Sequence, residues 1–198
     1  LSEAAKKLNI KTVIYSDDPN APAQNFCDLF FCGKYDDDIK LEEFVSNVDI
    51  VTFEFENIPY ITLSKINEIK KVLPNPKINK IVQNRLREKD FINKCNIRTT
   101  AYVTVKNEKD LKSSIDLIPG ILKTNTMGYD GKGQYKIDNQ NNLNYINVNF
   151  NKDYILEKKI NIKKEISVIV SRFGHQKYEV YEPIENIHEN QILKFSKI

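Results

Sequence analysis

At 198 residues with 40% hydrophobic side chains, the chain can build one large domain or two small ones, which excludes a coreless or low-complexity segment. Thirty Lys and Arg against 27 Asp and Glu leave a net charge of +3 with both signs mixed along the sequence, so the electrostatic footprint of a general nucleic-acid binder is missing. No apolar run approaches the ~20 residues needed to cross a bilayer, and the first residues lack the order of a signal peptide. A cytoplasmic protein without nucleic-acid or membrane partners is expected.

Leu1, Ala4, Ala5 and Leu8 share one helical face, but no capping residue precedes them, so the chain reads as cut at its start. Lys11 to Tyr15 predicts a short strand, Asp17 to Pro22 a loop, and Leu29 to Cys32 a second strand. Asp36, Asp37 and Asp38 precede Ile39, Leu41, Phe44 and Val45, an order that suits acids at a helix N-terminus better than a metal site. Cys27, Cys32 and Cys95 are odd in number and widely spaced, which favours buried, reduced thiols. With His175 and His188 as the only histidines, a His-rich metal site is excluded.

Asp49 to Phe53 reads as a buried strand running into Glu54-Phe55-Glu56-Asn57. Alternation puts both carboxylates on one side and Phe53 and Phe55 on the other. Strands alternating with helices imply a parallel, doubly wound domain that binds ligands at the carboxyl ends of its strands. The acidic pair therefore reads either as ligand-facing or as a solvated strand end. Pro74-Asn75-Pro76 marks a boundary. In the helix predicted over 84–94, Leu86, Phe91 and Ile92 are the expected buried members. Arg85, Arg87, Lys89 and Lys94 are either a solvated face or binding groups.

From Thr100 the pattern changes to a strand at Ala101 to Val105, a helix at about 107–116, and an apolar run, Ile121-Leu122, ending in Lys123. Gly128-Tyr129-Asp130-Gly131-Lys132-Gly133-Gln134 follows, then the strand-like Tyr135-Lys136-Ile137. Closely spaced glycines beside Lys132 can let backbone N–H groups cradle an anion, though the same steps also make a tight hairpin. The spacing is neither a Walker A nor a dinucleotide fingerprint. Asn-rich residues 139–152 read as a variable surface connection. Tyr154 to Leu156 predicts a strand ending in Glu157-Lys158-Lys159-Ile160. Glu165 to Ser171, Tyr178 to Glu182 and Ile192 to Phe195 are β segments without intervening helices, hence an antiparallel α+β region.

In this order, Thr52 to Pro59, Pro74 to Pro76, Gln83-Asn84-Arg85, Lys123 with Gly128 to Gln134, Glu157, Glu165 to Val168 and Tyr181 to His188 resemble the ATP-grasp superfamily. Within it they are similar to the 5-(carboxyamino)imidazole ribonucleotide synthase family. The resemblance covers nearly the whole chain. It implies a Rossmann-like pre-ATP-grasp domain over 1–76 with its first strand missing, connecting helices over 77–99, a small ATP-grasp lid domain over 100–164, and the start of the main ATP-grasp sheet over 165–198.

The implied activity is carboxylation of 5-aminoimidazole ribonucleotide with bicarbonate, driven by ATP through carboxyphosphate, in purine biosynthesis. The cofactors would be ATP and magnesium, with the magnesium ligands beyond Ile198 and none within the chain. Arg85 and Lys123 would contact phosphates, and Lys123 and Lys132 would carry the catalytic positive charge. Gly128, Tyr129, Asp130, Gly131, Lys132, Gly133 and Gln134 would close over the phosphates as a lid. Glu157, Lys158, Lys159 and Ile160 would form the adenine hinge, Glu165 would accept from the ribose hydroxyls, and His188 would touch the nucleotide. Glu54, preferred to Glu56, would approach the ribonucleotide substrate, with Tyr129, Asp130 and Lys132 reaching it from the lid. The partners implied are these small molecules, and the resemblance admits a homodimer. Two rivals stand beside this reading: another purine ligase, such as formate-dependent glycinamide ribonucleotide transformylase, and a non-catalytic nucleotide-binding module. A chain lacking the residues that bind magnesium and the substrate phosphate is expected to be inert alone.

Overall fold

The computed structural model describes residues 1–128, 133–189 and 192–198. The chain divides into two compact units, Leu1–Phe91 and Ile92–Ile198.

The first unit alternates helices with short parallel strands, as the sequence implies. After α1 (Ser2–Lys7), β1 (Val13–Ser16) pairs in parallel with β2 (Leu29–Cys32). Helix α2 (Asp38–Ser46) begins where Asp37 accepts a hydrogen bond from the Lys40 N–H at 3.1 Å, so the acidic run does cap a helix. Strand β3 (Val51–Thr52) and β4 (Val72–Leu73) form a second parallel pair around α3 (Tyr60–Ile69). Leu41, Phe44 and Val45 of α2 bury against Leu63 and Ile66 of α3 and against Val51 and Val72, with Tyr15 and Phe31 packed edge-on to Phe44. Burial pushes the Tyr15 hydroxyl up to about 12, while it donates to the Lys34 carbonyl at 2.7 Å.

Pro76 opens α4 (Pro76–Val82) behind an Asn75 cap, and α5 (Arg85–Lys94) follows. The predicted strand at 49–53 shrinks to two residues. Beyond it the chain bonds to side chains on and just after α4, since the Glu56 and Ile58 carbonyls both accept from Gln83 Nε2 at 2.6 Å, with Asn79 Nδ2 longer at 3.3 and 3.5 Å. The expected burial on α5 is corrected as well. None of its residues is buried, and Leu86, Phe91 and Ile92 join neither core cluster.

The second unit opens with a four-stranded antiparallel sheet in the order β5 (Tyr102–Val105), β8 (Tyr154–Lys158), β6 (Gly120–Thr124), β7 (Gln134–Ile137). One face carries Val105, Leu122, Ile137, Tyr154 and Leu156, closed over by Leu111 of α6 (Glu108–Ser113) and by Leu143. Leu143 belongs to the Asn-rich segment read as a surface connection. Asn139 and Asn142 cap each other reciprocally around a short 3-10 turn, and this ties Leu143, with Ile146, Val148 and Phe150, onto the core. Beyond it, β9 (Glu165–Ser167), β12 (Ile184–Glu189) and β13 (Ile192–Lys197) form an antiparallel sheet, and β10 (Val170–Gly174) pairs with β11 (Lys177–Val180). The sequence reading gave no strand at β12, where Pro183 and four polar residues, Glu185, Asn186, His188 and Glu189, mask the alternation.

Candidate functional site

The register of the four-stranded sheet decides which candidate residues meet. Lys123 on β6 lies directly opposite Gln134 on β7, while Glu157 on β8 lies opposite Ile121 and Tyr102, two positions along from Lys123. Because side chains alternate, Lys123, Gln134, Glu157 and Tyr102 all stand on the face away from the Leu122–Leu156 core. A diagonal neighbour is within reach of a long side chain. The Lys123 ammonium accordingly donates to Glu157 Oε2 at 3.0 Å, with the two side chains only 23% and 10% exposed. A half-desolvated ammonium with its counter-charge fixed beside it can receive an anion without a charge having to be moved there first.

The hairpin between β6 and β7 is fastened by the Thr124 N–H donating to the Gly133 carbonyl at 2.9 Å. Gly133 has φ +69°, and a Cβ there would stand 2.6 Å from Thr124 Oγ1, so both conformation and space call for glycine. Gly128 is half-buried on the other side of the turn. Tyr129, Asp130, Gly131 and Lys132 lie outside the described residues.

At the end of β8, the Lys158 N–H donates to the Ala101 carbonyl at 2.8 Å, and the Lys158 carbonyl accepts from Thr100 Oγ1 at 2.7 Å. The Lys159 N–H donates to the Pro119 carbonyl at 2.9 Å, and its ammonium pairs with Asp138 at 2.9 Å, a hydrogen bond that lowers the Asp138 carboxyl. These bonds anchor the expected hinge on both sides. The N–H of exposed Ile160 makes no hydrogen bond among the described residues, which leaves a donor at the hinge for the edge of a base.

Glu165 and His188 come together on the three-stranded sheet, Oε2 to Nδ1 at 2.6 Å. Glu165 lies opposite Asn186, so His188 is its diagonal neighbour. In the first unit, Glu54 and Glu56 follow β3 with exposed side chains, Phe53 packs against the core, and Phe55 is exposed. Arg85 starts α5. Neither the Lys123–Glu157 pair nor the Glu165–His188 pair was foreseen as a pair, because each depends on register between strands that are not consecutive in the chain, which composition does not set. Among the described residues no group of three or more His, Cys, Asp or Glu is placed to hold a metal ion.

Residues 1–83 match the ribonucleotide synthetase preATP-grasp domain, and residues 90–198 match the ATP-grasp domain. A relative from Staphylococcus aureus, N5-carboxyaminoimidazole ribonucleotide synthase, is 32% identical over 98% of this chain and 52% of its own length. The bifunctional purine synthesis protein purC/E of Dictyostelium discoideum is 36% identical over 96% of this chain and 20% of its own length. Among solved structures, N5-carboxyaminoimidazole synthetase from Staphylococcus aureus complexed with ADP superposes with a TM-score of 0.90 at 31% identity, over 97% of this chain and 52% of that one. The chain thus spans about half the length of the bacterial relative it matches.

Proposed function

The chain belongs to the ATP-grasp family, and on that premise we propose that it carries the nucleotide-binding part of an ATP-dependent carbon–nitrogen ligase. The reaction is carboxylation of 5-aminoimidazole ribonucleotide by bicarbonate, through carboxyphosphate, to 5-(carboxyamino)imidazole ribonucleotide in purine synthesis. The bacterial relative's name supports this choice of substrate. The observation that carries the nucleotide reading is the Lys123 ammonium, held by Glu157 and faced by Gln134 on the side of the sheet opposite the Leu122–Leu156 core.

ATP, when bound, supplies the phosphoryl group that activates bicarbonate. Arg85 and Lys123 hold its phosphates by charge-assisted hydrogen bonds, and Lys123 with Lys132 offsets charge at the transferring group. Gly128 to Gln134 cover the phosphates, with Tyr129, Asp130 and Lys132 also reaching the ribonucleotide. The hinge of Glu157, Lys158, Lys159 and Ile160 reads the base, Ile160 donating through its backbone. Glu165 accepts from the ribose, fixed by His188, and Glu54 orients the exocyclic amine of the substrate. Magnesium, when bound with ATP, would offset charge on its phosphates. The division at 1–76, 77–99, 100–164 and 165–198, a cytoplasmic location and a homodimer belong to the same proposal. No helix among the described residues is long and apolar enough to cross a membrane.

The test is ATP consumption by the full-length protein. Turnover is expected only with bicarbonate and aminoimidazole ribonucleotide together. Turnover with formate and glycinamide ribonucleotide instead, or none with either pair, overturns the assignment.

A further inference from the structure

We propose that the Glu157 side chain is a positioning residue for Lys123, holding its ammonium where the transferring phosphoryl group needs positive charge. The inference rests on the nucleotide reading above and adds to it, because that reading gives Glu157 a place in the hinge and its carboxylate no task. Three observations converge. The carboxylate points away from the base-reading end of the hinge, back along the sheet to Lys123 at 3.0 Å. Both partners are largely buried, so the contact is shielded from the screening that empties exposed pairs of their effect. Each is also seated on a central strand, β6 or β8, whose neighbours fix its backbone on both sides.

An unheld lysine ammonium samples many rotamers of a four-carbon stem. It carries three N–H donors, and Glu157 takes one, so two remain for phosphate oxygens while the first sets the aim. Removing the carboxylate has opposed consequences. It relieves repulsion between carboxylate and phosphates, which favours binding of the nucleotide, and it releases the ammonium, which harms the reaction. A misplacement of about 1 Å in a catalytic group can cost on the order of a hundredfold in rate. The signature of positioning is therefore a fall in kcat without a rise in KM for ATP.

The experiment uses the full-length protein with Glu157→Leu, Glu157→Gln, Lys123→Met and the Glu157→Gln/Lys123→Met double variant. Glu157→Leu is expected to lower kcat for ATP consumption by roughly tenfold or more with KM for ATP unraised. Glu157→Gln should recover part of the loss, because its amide oxygen still accepts from the ammonium. The double variant should be no slower than Lys123→Met alone. A readout without turnover comes from NMR of 15N-labelled lysine in the nucleotide-free protein, where the Lys123 ammonium should lose order in Glu157→Leu. A raised KM with unchanged kcat would mean that the carboxylate meets the nucleotide directly and overturns the proposal. Losses that multiply in the double variant, or an ammonium equally ordered without Glu157, overturn it as well. If Glu157→Leu does not fold, the glutamine variant and the double variant decide alone. Absence of ATP turnover in the wild type sinks the ligase reading, whereas the ammonium order still decides whether Glu157 positions Lys123.

Discussion

Two antiparallel sheets in the second unit are written in similar residues and stand in opposite surroundings. In the first, β8 runs Tyr154-Ile155-Leu156-Glu157 with every side chain buried, Leu156 at 0% exposure. In the second, Ile166 of β9, Ile187 of β12 and Phe195 of β13 are all exposed, Phe195 at 58%. The difference teaches that alternation specifies pairing, whereas the energy of a sheet comes from what covers it. The same contrast separates two side-chain contacts. Lys123–Glu157 is held in a covered sheet, and Glu165–His188 at 2.6 Å sits 46% and 34% exposed on an uncovered one.

The largest expected effect tests the contrast at its hydrophobic level. In the 198-residue chain, Leu156→Ala should cost about 2–5 kcal/mol, because it opens a cavity in a packed core. Phe195→Ala should cost under ~1 kcal/mol, since most of its surface is in solvent already. Urea unfolding of the two variants measures both, and equal losses would remove the distinction between the sheets.

Next in size is Lys123→Met. Methionine keeps an unbranched stem, so the swap is principally the loss of a charge. That charge is a partner of a carboxylate only 10% exposed. A stability loss of about 1–3 kcal/mol should accompany the loss of nucleotide use, on the scale of a buried polar group deprived of a partner. A thermal melt indistinguishable from wild type would show that Glu157 does not depend on Lys123.

Gly133→Ala probes the turn that joins the strands of the covered sheet. An L side chain at φ +69° is strained, and its Cβ would meet Thr124 Oγ1 at 2.6 Å. The cost should be about 1–2 kcal/mol in the same unfolding measurement, and a neutral substitution would refute the tight Thr124–Gly133 closure.

These contrasts also mark what could be read before the fold was known. Period-two alternation and glycine placement made β6, β7 and β8 legible, and Asp37 with its aspartate neighbours announced the cap of α2. The residues proposed to bind phosphate were suggested one by one by family resemblance. Their partnerships were not, because Lys123 meets Glu157 only through a register set between positions 34 apart in the chain. Leu143 was hidden for a different reason. Its anchoring depends on two asparagines that cap each other, and in a sequence they look like surface polarity. The strand at Glu54 was overread, since nothing in its own residues reports that Gln83 and Asn79, on and just after a later helix, will take its carbonyls.

The smallest effect is expected at the uncovered pair. Glu165→Gln keeps the shape of the side chain and an acceptor oxygen for His188, so the contact changes from charged to neutral without leaving a void. Solvent around both partners supplies replacement hydrogen bonds, and salt screens the charge of an exposed carboxylate. The stability of the chain should therefore change by less than ~1 kcal/mol, and the change should shrink further between low and high ionic strength. Lys123→Met, measured in the same two buffers, should keep its cost in both, because its pair is shielded. Two variants with the same salt dependence would mean that burial does not separate the pairs, and the contrast between a covered and an uncovered sheet would lose its electrostatic half.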